Sequence, residues 1–124
     1  MSSYGEIVTG IYKTGKYVGK ITEEKGDRSV VQVLAVLKHP QQGDLHQGKS
    51  AQVPYFHERR ALSYLEKTNI PNVYIKAFEG EVPNYEESLK LSLLKAKEEL
   101  QRESSDYANK ALLLLNKLET EYFK

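Results

Sequence analysis

At 124 residues and 14.2 kDa, with no cysteine and a net charge of +1, the chain can bury one small core but is short for a multi-domain enzyme. A composition of 40% hydrophobic and 28% charged residues, with mean hydropathy −0.58, excludes a disordered tail, a collagen-like fibre and a membrane protein. The missing cysteine removes disulfides, thiolate zinc sites, thiol nucleophiles and cysteine lipidation, and the near-neutral charge gives no global drive toward nucleic acid or membrane.

The opening MSSYGEIVTG lacks the basic and apolar regions of a signal peptide, so the expected location is the cytoplasm. The first 80 residues hold every glycine and histidine and three of the four prolines, whereas residues 81–124 hold one proline and neither of the others. This break predicts a β-rich body over 1–80 and a helical extension over 84–123. In the body, 6–12 and 17–24 read as strands, joined by a turn around Gly15, and Lys25-Gly26-Asp27 reads as a hairpin turn. Residues 29–38 (SVVQVLAVLK) are apolar on both faces, which suits a central strand covered on each side. A polar loop over 39–50 leads to a strand at 51–56. Residues 58–67 fit a helix face through Ala61, Leu62 and Leu65, and fit a strand less well. A turn at 69–72 and a strand at 73–78 close a small antiparallel β-barrel.

The extension begins at Pro83-Asn84, where Asn84 can cap a helix and Glu87 stands at the third helical position. Tyr85, Leu89, Leu93, Ala96 and Leu100 recur at helical spacing. Ser104-Ser105-Asp106 interrupts them, and Ala108, Ala111, Leu115, Leu118 and Tyr122 form a second seam. Two helices, about 85–103 and 106–122, follow; a single bent helix is the alternative. The run Leu112–Leu115 cannot lie on one stripe, so Leu113 and Leu114 point away from the seam, either into the barrel or toward another chain.

Candidate chemistry is sparse. Gly10–Tyr17 (GIYKTGKY) approaches a phosphate-cradling G-x-x-x-x-G-K-[ST] loop, but a tyrosine replaces the small hydroxyl and a strand follows where a helix is needed. His39, His46 and His57 with Asp44 lack metal-ligand spacing. His57 and Glu58 would point to opposite faces of a strand, and no nucleophile accompanies them. No catalytic, cofactor-binding or metal residue is therefore assigned. Lys13, Lys16 and Lys20 interleave with Tyr12 and Tyr17, which keeps a nucleic-acid-binding barrel as the alternative function. Nine tyrosines without tryptophan provide large amphipathic contact area. The candidate protein-binding residues are Tyr12, Tyr17, Tyr55, Tyr64 and Tyr74 on the barrel, with Leu113 and Leu114 on the second helix.

The stretches Gly5–Gly19 (GEIVTGIYKTGKYVG), Phe56–Leu62 (FHERRAL), Glu66–Pro71 (EKTNIP) and Phe78–Tyr85 (FEGEVPNY) resemble the kinase-associated lipoprotein B (kinase-associated protein B) family of spore-forming bacteria. The similarity runs through nearly the whole chain. It implies an α+β fold, an antiparallel barrel similar to the Src-homology-3 type followed by a helical extension, and it favours strand for 59–67. It also implies a non-catalytic accessory that supports a sensor histidine kinase feeding the sporulation phosphorelay. Without a cysteine to acylate, such a protein is expected to reach a membrane kinase from the cytoplasmic side by protein contact and not by its own lipid anchor. Neither helix carries a histidine to act as a phosphotransfer residue, and the β-then-α order does not fit a receiver domain. No small-molecule substrate is expected, and a homodimer through the C-terminal helices is a further expectation.

Overall fold

A computed structural model describes residues 5–43 and 56–123. Five strands, β1 (Ile7–Tyr12), β2 (Gly15–Lys25), β3 (Arg28–Lys38), β4 (Lys67–Pro71) and β5 (Ile75–Ala77), precede helices α1 (Tyr85–Glu103) and α2 (Asp106–Tyr122). All pairings are antiparallel in the order β4-β3-β2-β1-β5. The first three strands meander, β4 returns to β3, and a 3₁₀ turn over Asn72–Tyr74 carries the chain to the far edge, where β5 pairs β1. The curled sheet is open but broadly compatible with the Src-homology-3 type. It and the helical hairpin are the expected α+β architecture.

The hairpins show why the strands end where they do. Lys13 and Thr14 form the β1–β2 connection, both at positive φ (46° and 71°), the backbone that matches a two-residue hairpin to strand twist. Gly15, expected within that turn, instead begins β2 opposite Tyr12; a Cβ there would lie 2.5 Å from the Tyr17 hydroxyl. Gly26 does supply the positive φ (70°) of the β2–β3 turn. Asn72 clamps that turn: its Nδ2 donates to the Gly26 carbonyl at 2.8 Å, and its Oδ1 accepts from Ser29 Oγ at 2.8 Å.

Three further expectations for the body need correction. Residues 69–72 are not a separate turn: Asn69–Pro71 finish β4, an edge strand where proline's missing N–H leaves no ladder bond unmade. The last strand is shortened to Ile75–Ala77 because the 3₁₀ turn takes Asn72–Tyr74. The 56–63 segment is neither helix nor strand; Ser63–Glu66 then makes a tight turn with Leu65 at φ 68°. Residues 51–55 of the expected fourth strand lie outside the described residues, as do 44–50 of the loop, which include Asp44 and His46.

Val8, Ile21, Val31 and Ile70 fill the inside of the curled sheet. Tyr17, Val33, Val36 and Ala61 join Leu89 of α1, so sheet and helices share a core. Leu93, Leu115 and Leu118 lock α1 to α2. The seams anticipated on both helices are thus the buried ones, with Asn84 Oδ1 capping the Glu87 amide at 3.0 Å and Ser105 Oγ capping that of Ala108 at 3.0 Å. β3 contacts α1 closely because a register shift in the β2–β3 ladder turns the Val36 N–H toward the helix, where Ser88 Oγ accepts it at 3.0 Å. The shift also leaves Leu37 exposed, although alternation alone placed it with Val31, Val33 and Ala35.

Gly19 sits where this packing leaves no room. An added Cβ would lie 2.4 Å from Val31 Cγ1 and 2.6 Å from the Gln32 carbonyl oxygen. The carbonyl belongs to the neighbouring strand and cannot rotate away, so Gly19→Ala is expected to cost about 1–3 kcal/mol in urea unfolding. Gly10→Ala should cost less, since the nearest atom there, 2.7 Å away, is the mobile Ile70 Cδ1.

Candidate functional site

Residues 56–62 pass between sheet and helices with little regular pairing, so their backbone groups need other partners. Tyrosine side chains supply them. Tyr85 Oη donates to the Leu62 carbonyl at 2.6 Å, while Tyr17 Oη accepts from the Leu62 N–H at 3.3 Å. Tyr122 Oη accepts from the Ala61 N–H at 2.9 Å. Burial raises all three hydroxyls above the ordinary tyrosine value, that of Tyr85 to about 12, so they remain protonated.

Residues 39–43 are secured in the same manner. Gln42 acts as a short strand substitute: its Oε1 accepts from the Arg59 N–H at 2.9 Å and its Nε2 donates to the Arg59 carbonyl at 2.8 Å. Tyr107 Oη donates to the Gln42 carbonyl at 2.7 Å. Thr14 Oγ1, on the strained β1–β2 turn, accepts from the Gln41 N–H at 2.9 Å. His39 is 3% exposed, with Nδ1 3.0 Å from the Pro40 carbonyl and Nε2 2.9 Å from Tyr122 Oη. A carbonyl only accepts, so the imidazole proton lies on Nδ1, and Nε2 accepts from Tyr122. Burial lowers the His39 pKa from its usual 6.5 to about 4, opposed only by the bond to Pro40, and the ring stays neutral.

Beside this network lies a cleft of about 500 Å³ between the end of β3, residues 39–42 and the helical hairpin. Lys16, Lys38 and Lys95 line it, as do Glu99 and Glu103 further along α1, with Ser92 and Tyr107 among its walls. Lys16 and Lys38 are direct cross-strand partners.

Of the candidate protein-binding residues, none of those described, Tyr12, Tyr17, Tyr64, Tyr74, Leu113 and Leu114, lines this cleft. Tyr17 is 1% exposed and belongs to the core, so it is not a surface contact. Tyr12 is half-buried against the core, with the Lys13 ammonium 5.4 Å from its ring. Tyr64 is exposed and packs tilted against Tyr85 at 5.7 Å between centroids, while Tyr74 is exposed on the 3₁₀ turn. Tyr55 lies outside the described residues. On α2, Leu113 is 71% exposed and Leu114 half-buried. Leu91 and Leu94 are likewise exposed on α1. Lys38, Lys95, His39 and Gln42 were not separable from ordinary surface or loop residues in the sequence. The G-x-x-x-x-G-K stretch is a β-hairpin and opens no helix, although its Lys16 does reach the cleft. Among the described residues, no three histidines or carboxylates are grouped to hold a metal, and no helix is long and apolar enough to cross a membrane.

Residues 12–123 match the family model described as Kinase associated protein B. The chain is 50% identical over 119 residues to kinase-associated lipoprotein B of Bacillus subtilis (strain 168), covering 96% of this chain and 93% of that protein. The crystal structure of kinase-associated protein B from Bacillus cereus superposes with a TM-score of 0.87 at 47% identity, covering 98% of each chain. With that identity carried through sheet, connecting segments and both helices, the chain belongs to the kinase-associated protein B family.

Proposed function

We propose that this chain is a non-catalytic accessory protein that binds a sensor histidine kinase and supports its signalling into the sporulation phosphorelay. The observation that carries this reading is the 50% identity, over 96% of the chain, to a protein whose name associates it with a kinase. Polar groups of the 39–43 and 56–62 segments support it as well, since those of Gln42, Arg59, Ala61 and Leu62 are occupied in hydrogen bonds that hold the two segments to each other and to the helices. The contact surface in this reading is the outer side of the hairpin around Leu113, with Tyr64 and Tyr74 as exposed aromatic contacts on the body. The protein acts at the inner face of the membrane through that contact.

The test is co-purification with the kinase, and kinase autophosphorylation with and without this protein. Leu113→Lys is expected to weaken capture at least about tenfold while changing folding stability by less than about 0.5 kcal/mol, because the side chain is exposed. No capture, together with an unchanged autophosphorylation rate, overturns the reading. Light scattering on the same pair separates self-association. A wild-type dimer that Leu113→Lys converts to folded monomers assigns the hairpin to homodimerisation and moves the kinase contact to Tyr64 and Tyr74.

A further inference from the structure

Lys16 and Lys38 stand opposite one another at the end of the β2–β3 ladder, beyond a register shift. Like charges in directly opposed positions destabilise a sheet. Neither lysine forms an ion pair with any described residue, and Lys95 across the cleft has none either. Elsewhere Lys97 pairs with Glu119 at 2.7 Å and Lys117 with Glu58 at 3.0 Å, and Lys13 and Lys110 sit over aromatic rings; Lys20, Lys67 and Lys76 also lack an ion pair among the described residues, so it is the shared cleft, and not the missing partner, that sets Lys16, Lys38 and Lys95 apart. Three ammonium groups without an ion-pair partner among the described residues therefore line one concavity of about 500 Å³, within the size range of small-ligand sites. Positive charge concentrated at one end of a cleft raises the local concentration of anions there.

The cleft is polarised along α1. Ser88 meets Val36, so the next turn, with Ser92 and Lys95, faces the end of β3 that carries Lys38. Glu99 and Glu103 follow one and two turns later, on the same stripe of the helix. One end carries the three ammonium groups; the other carries carboxylates, of which Glu103 already accepts from Ser105 Oγ at 2.8 Å.

We infer that this cleft binds a soluble phosphorylated small molecule, its phosphates held by Lys16, Lys38 and Lys95 and its hydroxyl or amino groups by Glu99. The class is that of nucleotides and sugar phosphates. The inference needs no kinase, and its failure leaves the accessory role untouched.

The test is calorimetric titration of the full chain at low salt with pyrophosphate and with adenosine diphosphate. Both are expected to bind, the nucleotide more tightly. Lys38→Glu and, separately, Lys95→Gln should weaken both at least about tenfold, through loss or reversal of a charge on the phosphates. Glu99→Gln should weaken the nucleotide but not pyrophosphate. Lys38→Glu has a second readout, because it places a carboxylate opposite Lys16. Its melting temperature should rise by about 2 °C as binding falls, which a merely structural lysine would not do. Lys95→Gln, on an exposed helix face, keeps the test valid if Lys38→Glu misfolds. Absence of pyrophosphate binding at about 1 mM, where even a weak site of about −4 kcal/mol is half-filled, overturns the inference. Binding unchanged in both lysine variants overturns it too. So does binding confined to phosphatidylglycerol vesicles, which would assign the lysines to a lipid surface.

Discussion

Tyr122→Ala is expected to cost about 4 kcal/mol in urea unfolding, the range for deleting a large aromatic from a packed site, and Tyr122→Phe about half of that. The Tyr122 ring packs against both the sheet–helix cluster and the interhelical cluster, and the Arg60 guanidinium lies over it at 5.3 Å. Its hydroxyl has a separate task. It takes the Ala61 N–H and gives its proton to His39 Nε2, so the phenylalanine variant strands a buried donor and a buried acceptor together. The difference between the two variants therefore divides ring packing from hydrogen bonding. A phenylalanine variant as stable as wild type would mean that water replaces the hydroxyl and that the 56–62 segment does not depend on it.

Acidification should destabilise the protein through His39. The neutral ring is preferred in the folded state, with its pKa lowered to about 4, while the unfolded chain takes up the proton near 6.5. This contribution to stability is complete above pH 6.5 and is lost as the pH falls from 6.5 toward 4. At about 1.4 kcal/mol per pH unit, the loss approaches about 3 kcal/mol. Unfolding measured at pH 7.5 and at pH 4.5 should show most of it. His39→Gln, which keeps a donor and an acceptor but does not titrate, should remove that part of the slope and leave the carboxylates' share. An equal slope in wild type and variant would mean that protonated His39 finds a partner on opening toward solvent. Because His39 joins residues 39–42 to the end of α2, the same protonation should loosen one wall of the lysine cleft.

The two helices were legible in the sequence at the level of single residues. Asn84 and Ser105 carry capping side chains, the apolar spacing of three and four persists between them, and local hydrogen bonding needs no distant partner. The hairpins β1–β2 and β2–β3 were legible for the same reason, since short-range turn chemistry sets them. The 56–63 segment was not. Ala61 and Leu62 look like a fragment of helix or strand, and what holds them extended is three hydroxyls from Tyr17, Tyr85 and Tyr122, contributed by β2, α1 and α2. The high tyrosine content read as contact surface, yet four of these side chains, Tyr107 included, hydrogen-bond to backbone.

By itself, then, the sequence determined the first three strands with their two hairpins, the helix ends and, through its resemblance, the family. Those features depend on neighbours within a few residues or on similarity along the whole chain. Only the tertiary structure decided which tyrosines are buried, where His39 finds its partners, and that Lys16, Lys38 and Lys95 meet in one cleft. Each of these is a contact between residues remote in the chain, created by the shift in the β2–β3 register and the seating of α1 on β3. No periodicity or local propensity encodes such a meeting, because it exists only once the sheet has curled and the helices have packed against it.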